Sequence, residues 1–280
     1  MAEWVHALDV GAYQFIAAVW GVYWPTFLIV AAFTILERLF PLEPNLPWRA
    51  VRFNFVWQVF TLSMFVLLSW TVWGEFINWV AAKAGTPLFY IARSDSFVFE
   101  VGRILLLIAV NDFLQYWVHR LMHAVPALWV VHRFHHDEVH LNAATSLRQH
   151  WLNVPITQLL LLPLAWLWGG DPGPAYAGLG IVAITAFHHS NIRVDTGSMP
   201  PLMVGPQTHR IHHAPERASH DKNFAAVFPL WDILFDTYAA PRKGEFGKTG
   251  LTDHPPTERY VTAFVQPLLD WRKMLRKCQA

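Results

Sequence analysis

The chain has 280 residues, 54% of them hydrophobic and only 15% charged, with 15 Trp and 20 Phe. Soluble domains carry roughly a quarter charged residues, so this composition argues for a membrane protein built as one domain. A formal net charge of +1 offers no basic surface for nucleic acid, and the lone cysteine, Cys278, excludes a disulfide framework and a thiolate metal site.

In chain order, the start MAEWVHALDV has no basic region ahead of its apolar stretch, so no cleavable signal peptide is expected. Residues 12–36 then form an apolar run long enough to cross about 30 Å of hydrocarbon, ending at Glu37–Arg38. A proline-rich connector, PLEPNLP, leads through Arg49 and Arg52 into a second run over 53–72, and a third spans 97–118. Two shorter runs, 154–168 and 174–187, flank GGDPGP and predict a helical hairpin that is tilted or re-entrant. Arg38, Arg49 and Arg52 outweigh Lys83 and Arg93 across the membrane, and Lys and Arg are frequent after residue 240. Cytoplasmic loops are the ones enriched in Lys and Arg, which puts the connector, the histidines and the C-terminus on that side. From residue 190 the long apolar runs stop, predicting a cap of short helices. The terminal FVQPLLDWRKMLRKCQA reads equally as a helix on the inner leaflet or an ordinary surface helix. The fold class expected is therefore all-α: three spans and a hairpin carrying a cytoplasmic, histidine-rich cap. Residues 1–97 supply the first spans, 98–240 the catalytic region and 241–280 the tail. The scattered tryptophans read as interfacial anchors.

The third run feeds directly into HRLMHAVPALWVVHRFHH, eighteen residues holding His119, His123, His132, His135 and His136. Residues three or four apart share a helix face, so the HxxxH pair and the HxxHH trio can each aim imidazoles at one point. A second HxxHH recurs as His209, His212 and His213, while His150 and His188–His189 bracket the hairpin. Four or five nitrogens saturate a first-row metal ion, so eight to ten histidines imply two ions. Such a pair supports hydrolysis at zinc or oxygen activation at iron. Beside a bilayer the available substrate is an acyl chain or sterol, whose C–H bonds offer no leaving group; hydroxylation or desaturation with O2 is the leading reaction. A zinc hydrolase and a metal transporter are the rivals. Ligands gathered at one end of the helices argue against transport.

The segments HRLMH, HRFHH, LRQH, HHSNI and THRIHHAPE, followed by NF and PLWDILFDTY, resemble the fatty acid hydroxylase/sterol desaturase superfamily over residues 98–240. The resemblance implies an O2-dependent centre of two iron ions on His119, His123, His132, His135, His136, His209, His212 and His213. It implies a lipid substrate such as a fatty acyl, sphingolipid, sterol, alkylglycerol or carotenoid. His189 matches a His-(small)-Asn element. His150 matches a Leu-Arg-x-His-Pro element in which Trp151 replaces the proline. No fused haem domain is expected, so electrons would come from a separate reductase, ferredoxin or cytochrome. Asp112 lies two turns before His119 on the same face. A carboxylate inside an apolar run is costly unless paired, and this one is expected either to accept the ring N–H of a metal ligand or to make a structural hydrogen bond. Asp232 and Asp236 are candidates for the same supporting role, or for caps. His188 is an extra neighbour, His140 and His220 are solvated or supporting, and His6 and His254 are surface residues.

Overall fold

The computed structural model describes residues 24–68, 94–153, 173–195 and 201–278, with isolated helical positions at 21, 79, 83, 156 and 157. The beginning of the first expected span, the end of the second, nearly all of the loop after it, and most of 154–172, including the first four residues of GGDPGP, lie outside these residues, as does His6. The described chain is helical: α1 (24–39), α2 (Trp48–Leu68), α3 (Phe97–Ala124), α4 (Pro126–His136), α5 (Gly173–His189), α6 (Pro206–His212), α7 (Leu230–Leu234) and α8 (Tyr260–Cys278). Short 3-10 turns cover Ala143–Leu147 and Arg217–Ser219. Among the described residues there is no strand, only an isolated antiparallel bridge between Pro41 and Ile192.

Among the described residues no helix is long and apolar enough to cross a membrane. The expected third span is helical throughout, as part of α3, but Glu100, Arg103 and Asp112 interrupt its apolarity. Glu100 and Arg103 neutralise one another one turn apart, at 2.8 Å.

Local sequence explains the two corners that matter most. Ser96 caps α3 by accepting the Phe99 amide, and Glu100 in the first turn complements the helix dipole. At the other end Val125 is forced into extended geometry (φ −99°, ψ 113°) because it precedes Pro126, and Pro126 then starts α4 at its first turn. AVP is thus a one-residue corner that folds His132–His136 back onto His119–His123. Gly205 and Pro206 start α6 in the same way.

Three apolar clusters lock the helices around that corner. Leu107, Ile108, Ile181 and Val227 join α3, α5 and the loop before α7. Val30, Ala143, Ala144 and Ala186 join α1, the 3-10 turn and α5, while Phe53, Trp57, Phe134 and Ala263 join α2, α4 and α8. Between α2 and α4 lies Arg148, 1% exposed, whose guanidinium reaches Asp137 (2.7 Å), Asn54 (2.9 Å) and the carbonyls of Phe134 and Thr257. Every one of those contacts is charge-assisted, which is what makes a buried arginine tolerable. Gly250 has a left-handed φ of +110°, and a Cβ there would come within 2.7 Å of Val139; its amide donates to the His213 carbonyl.

Candidate metal centre

Nine of the ten histidines expected as ligands come together, in two adjoining groups. His119, His123, His132, His136 and His212 form the first; His135, His189, His209 and His213 form the second, and within each group the ligand atoms lie within 4.8 Å of one another. The helical spacing divides the work. His132 and His136, four apart on α4, face the first group, whereas His135 turns to the second; α6 and its C-terminal cap residue His213 split His212 from His209 and His213 likewise. The stacked rings of His136 and His213, with centroids 4.4 Å apart, form the seam between the groups.

Hydrogen bonds fix which ring nitrogen faces inward. Nδ1 of His119 donates to the Phe224 carbonyl (2.8 Å), that of His212 to the Lys222 carbonyl (2.7 Å), and that of His189 to the Thr185 carbonyl (2.7 Å). A carbonyl only accepts, so these rings carry their proton on Nδ1 and turn a bare Nε2 lone pair to the centre. His123 is held by Asp221, 3.5 Å from its Nδ1.

The inward nitrogens then crowd one another in a way that hydrogen bonding does not satisfy. Nε2 of His189 lies 3.1 Å from that of His135 and 2.9 Å from that of His209, which is itself 3.1 Å from Nε2 of His213. In the first group His136 Nε2 lies 3.1 Å from His123 Nε2 and 3.2 Å from His132 Nε2. An imidazole nitrogen has one in-plane lobe, either a proton or a lone pair, so it cannot bond two such neighbours at once. Two nitrogens each bound at about 2.1 Å to one ion, and 90° apart around it, are about 3.0 Å apart. The donor set therefore fits a cation in each group. Nε2 of His119 and of His212 are buried without any hydrogen-bond partner, as such ligands require. Burial pushes His132, His135, His136, His209, His212 and His213 well below the ordinary histidine range. They are neutral at physiological pH and free to ligate.

His150 is not brought to the centre, contrary to expectation. It is fully buried, but its Nε2 donates to the Phe264 carbonyl (3.1 Å) and its Nδ1 accepts the Leu152 amide (3.2 Å). Pro267 in α8 has no amide hydrogen for the carbonyl of Ala263, which leaves this turn open to the ring. Trp151, standing where the resemblance calls for proline, stacks on Phe264 with centroids 5.3 Å apart. Together His150 and Trp151 tie α8 down.

Asp112 serves a purpose other than accepting a ligand's ring proton. Its carboxylate accepts the amides of Ala226, Val227 and Phe228 (2.8–3.0 Å) and the Trp231 indole N–H. Asp232 does the same for the amides of Phe224 and Ala225 and the Thr237 hydroxyl. Two carboxylates thus pin an irregular loop whose carbonyls orient His119 (from Phe224) and His188 (from Ala226, 3.1 Å). Asp236 contributes a left-handed turn (φ 58°) instead of a ligand contact. His188 packs on His209, with centroids 3.9 Å apart, but stands outside both groups. His140 faces Glu43, His220 the Pro215 carbonyl, and His254 Asp137.

The residues missed by sequence reasoning are mostly carbonyls. Thr185 is findable, lying four before His189 on one helix. Lys222 is signalled indirectly: Asp221 and Asn223 on either side adopt left-handed φ of 57° and 55°, which Asp and Asn tolerate best. Asn223 in turn bonds the Thr208 and Ala239 carbonyls, explaining the asparagine of NF.

A cavity of about 270 Å³ abuts the centre, touching His119, His132, His135, His189 and His209 and walled by Val118, Met122, Leu147, Ile181, Val182 and Phe224. A second, more polar cavity of about 360 Å³ touches the remaining members of the first group, His123, His136 and His212, with Trp129, Asp221 and Asp253.

Residues 104–237 match the family model described as fatty acid hydroxylase. Human alkylglycerol monooxygenase is 34% identical over 146 residues, 51% of this chain and 32% of that protein. The ornithine lipid hydroxylase OlsE of Rhizobium tropici is 28% identical over 82% of this chain and 70% of its own length. Methylsterol monooxygenase 1-3 of Arabidopsis thaliana is 25% identical over 58% of this chain and 54% of its own. The chain thus spans about a third of the length of the alkylglycerol monooxygenase. No solved structure matches it.

Proposed function

We propose that the chain belongs to the fatty acid hydroxylase/sterol desaturase superfamily, supported by the family model and the relatives above, and that it is an O2-dependent di-iron hydroxylase acting on a membrane lipid. The observation that carries the reading is a pair of convergent Nε2 groups opening on an apolar cavity. Imidazole suits iron, and two irons would supply O2 activation sufficient to break an unactivated C–H bond. His119, His123, His132, His136 and His212 would hold one ion and His135, His189, His209 and His213 the other. Around them the chain's own residues do three things. The Phe224, Lys222 and Thr185 carbonyls keep proton and lone pair on the correct ring nitrogens. Val118, Met122, Ile181 and Val182 exclude water from the reacting chain. The polar cavity beside His123 and His212 gives protons and electrons an approach separate from the lipid's. The electrons would come from a separate reductase, ferredoxin or cytochrome.

A multi-pass membrane setting, with the histidines and C-terminus cytoplasmic, belongs to the same proposal, as does the division into spans, catalytic region and tail. Its support is the outer surface of the helices. Phe97, Val98, Leu105, Leu106, Trp117 and Leu121 on α3, and Leu28, Ile35 and Leu39 on α1, are large apolar side chains facing outward. Large apolar patches on a surface mark a contact with lipid or another protein. The test is isotopic. Iron-loaded protein given a reductant, a mixed lipid extract and 18O2 should yield a lipid carrying one 18O atom; turnover without O2, on zinc, would replace this reading with hydrolysis.

A further inference from the structure

Apart from ring nitrogens of the histidines, the described wall of the apolar cavity carries one buried side-chain atom that the protein does not satisfy. Most of the neutral polar side chains there are committed internally: Ser146 donates to the Ala143 carbonyl, Thr185 to the Val182 carbonyl, and Gln115 to Asn111. Asn153 is also held from two directions, its backbone amide on the His150 carbonyl (2.8 Å) and its Nδ2 on Gln149 Oε1 (2.9 Å). Gln149 is fixed in turn, because Trp57 Nε1 and Thr61 Oγ1 both donate to its carbonyl. Among the described neutral polar side chains of this wall, Asn153 Oδ1 is the buried atom without a donor. An acceptor kept dry and unpaired costs roughly 1–3 kcal/mol, and here its position is set in advance by neighbours that leave it no alternative.

We propose that Asn153 Oδ1 is a specificity-determining acceptor for a hydrogen-bond donor, a hydroxyl or amide N–H, on the lipid that fills this cavity. The inference rests on the lipid-hydroxylase reading and narrows it: the substrate is a chain bearing a donor, and a bare hydrocarbon or fully esterified lipid is discriminated against. A site built to hydrogen-bond a substrate group rejects the analogue lacking it, because the protein's own polar atom is then stranded.

The experiment measures binding of two lipid pairs to the metal-loaded, detergent-solubilised full chain by equilibrium dialysis. One pair is 1-O-hexadecylglycerol and its di-O-methyl ether; the other is N-hexyldecanamide and its N-methyl derivative. The unmethylated member of one pair should bind about tenfold more tightly, and the pair showing the gap identifies hydroxyl or amide as the donor. In Asn153→Leu the gap should collapse while binding of the methylated lipid persists, which also shows that the variant is folded. Asn153→Asp, which keeps an acceptor, should restore it. Equal binding within both pairs, or a gap that survives Asn153→Leu, overturns the proposal and leaves the lipid reading standing. If none of the four lipids binds, the lipid reading fails and this inference with it.

Discussion

His150 and His135 are both buried histidines in the catalytic stretch, yet their neighbours give them opposite jobs. His135 Nε2 meets the Nε2 of His189, which is itself crowded by that of His209, so a cation satisfies together what hydrogen bonds to each cannot. The ring of His150 meets a carbonyl and an amide, so ordinary hydrogen bonds suffice. His150→Gln should accordingly leave metal content unchanged, whereas His135→Ala should lose one ion's worth by elemental analysis. The LRQH context of His150 suggests a ligand, because a motif specifies residue type and order while the ring's direction depends on α8, over a hundred residues away. The eight patterned histidines were legible as candidate ligands from their helical spacing. Each HxxHH trio, expected to aim at one point, instead divides between the two groups, because His135 turns away from His132 and His136, and His212 from His209 and His213. Protonation follows from the same burial. A histidine whose folded pKa is depressed binds its proton more readily when unfolded, so stability rises with pH up to about 6.5. The metal-free protein should show a melting temperature that falls as pH drops from 7.5 to 5.5. A flat profile would mean that these rings are solvated.

At the scale of elements, two devices hold the centre in shape. The first is the Val125–Pro126 corner, which a reader of the sequence can anticipate from proline alone. The second, the loop 224–228 pinned by Asp112 and Asp232, was not legible, since its partners are backbone amides that no pattern announces. Asp112→Asn would leave at least one amide facing an N–H in place of an oxygen. We expect a loss of roughly 2–3 kcal/mol in chemical unfolding and weaker metal binding, by roughly tenfold or more, in the group containing His119. Arg148→Ala tests the opposite side. Removing that guanidinium strands Asp137, and the expected cost is roughly 3–5 kcal/mol. The loss should appear in unfolding and not as altered metal stoichiometry in the protein that remains folded.

For the whole molecule, composition announced an apolar surface, and the outward faces of α1 and α3 carry it, with charge distributed along α3 so that no described helix reads as a plain span. Sequence periodicity sees residue polarity but not that Glu100 neutralises Arg103 or that Asp112 spends its charge on amides. If these faces meet lipid, the chain should stay in the membrane fraction through alkaline carbonate washing, and release into the supernatant would contradict the multi-pass reading.

Two adjoining cation sites made of imidazole carry the proposed function. Metal analysis of anaerobically purified, iron-reconstituted full chain, with X-ray absorption at the iron edge, addresses them directly. Two iron ions per chain with nitrogen-only protein ligands is the result expected. A single ion, or none retained by a folded chain, would contradict it.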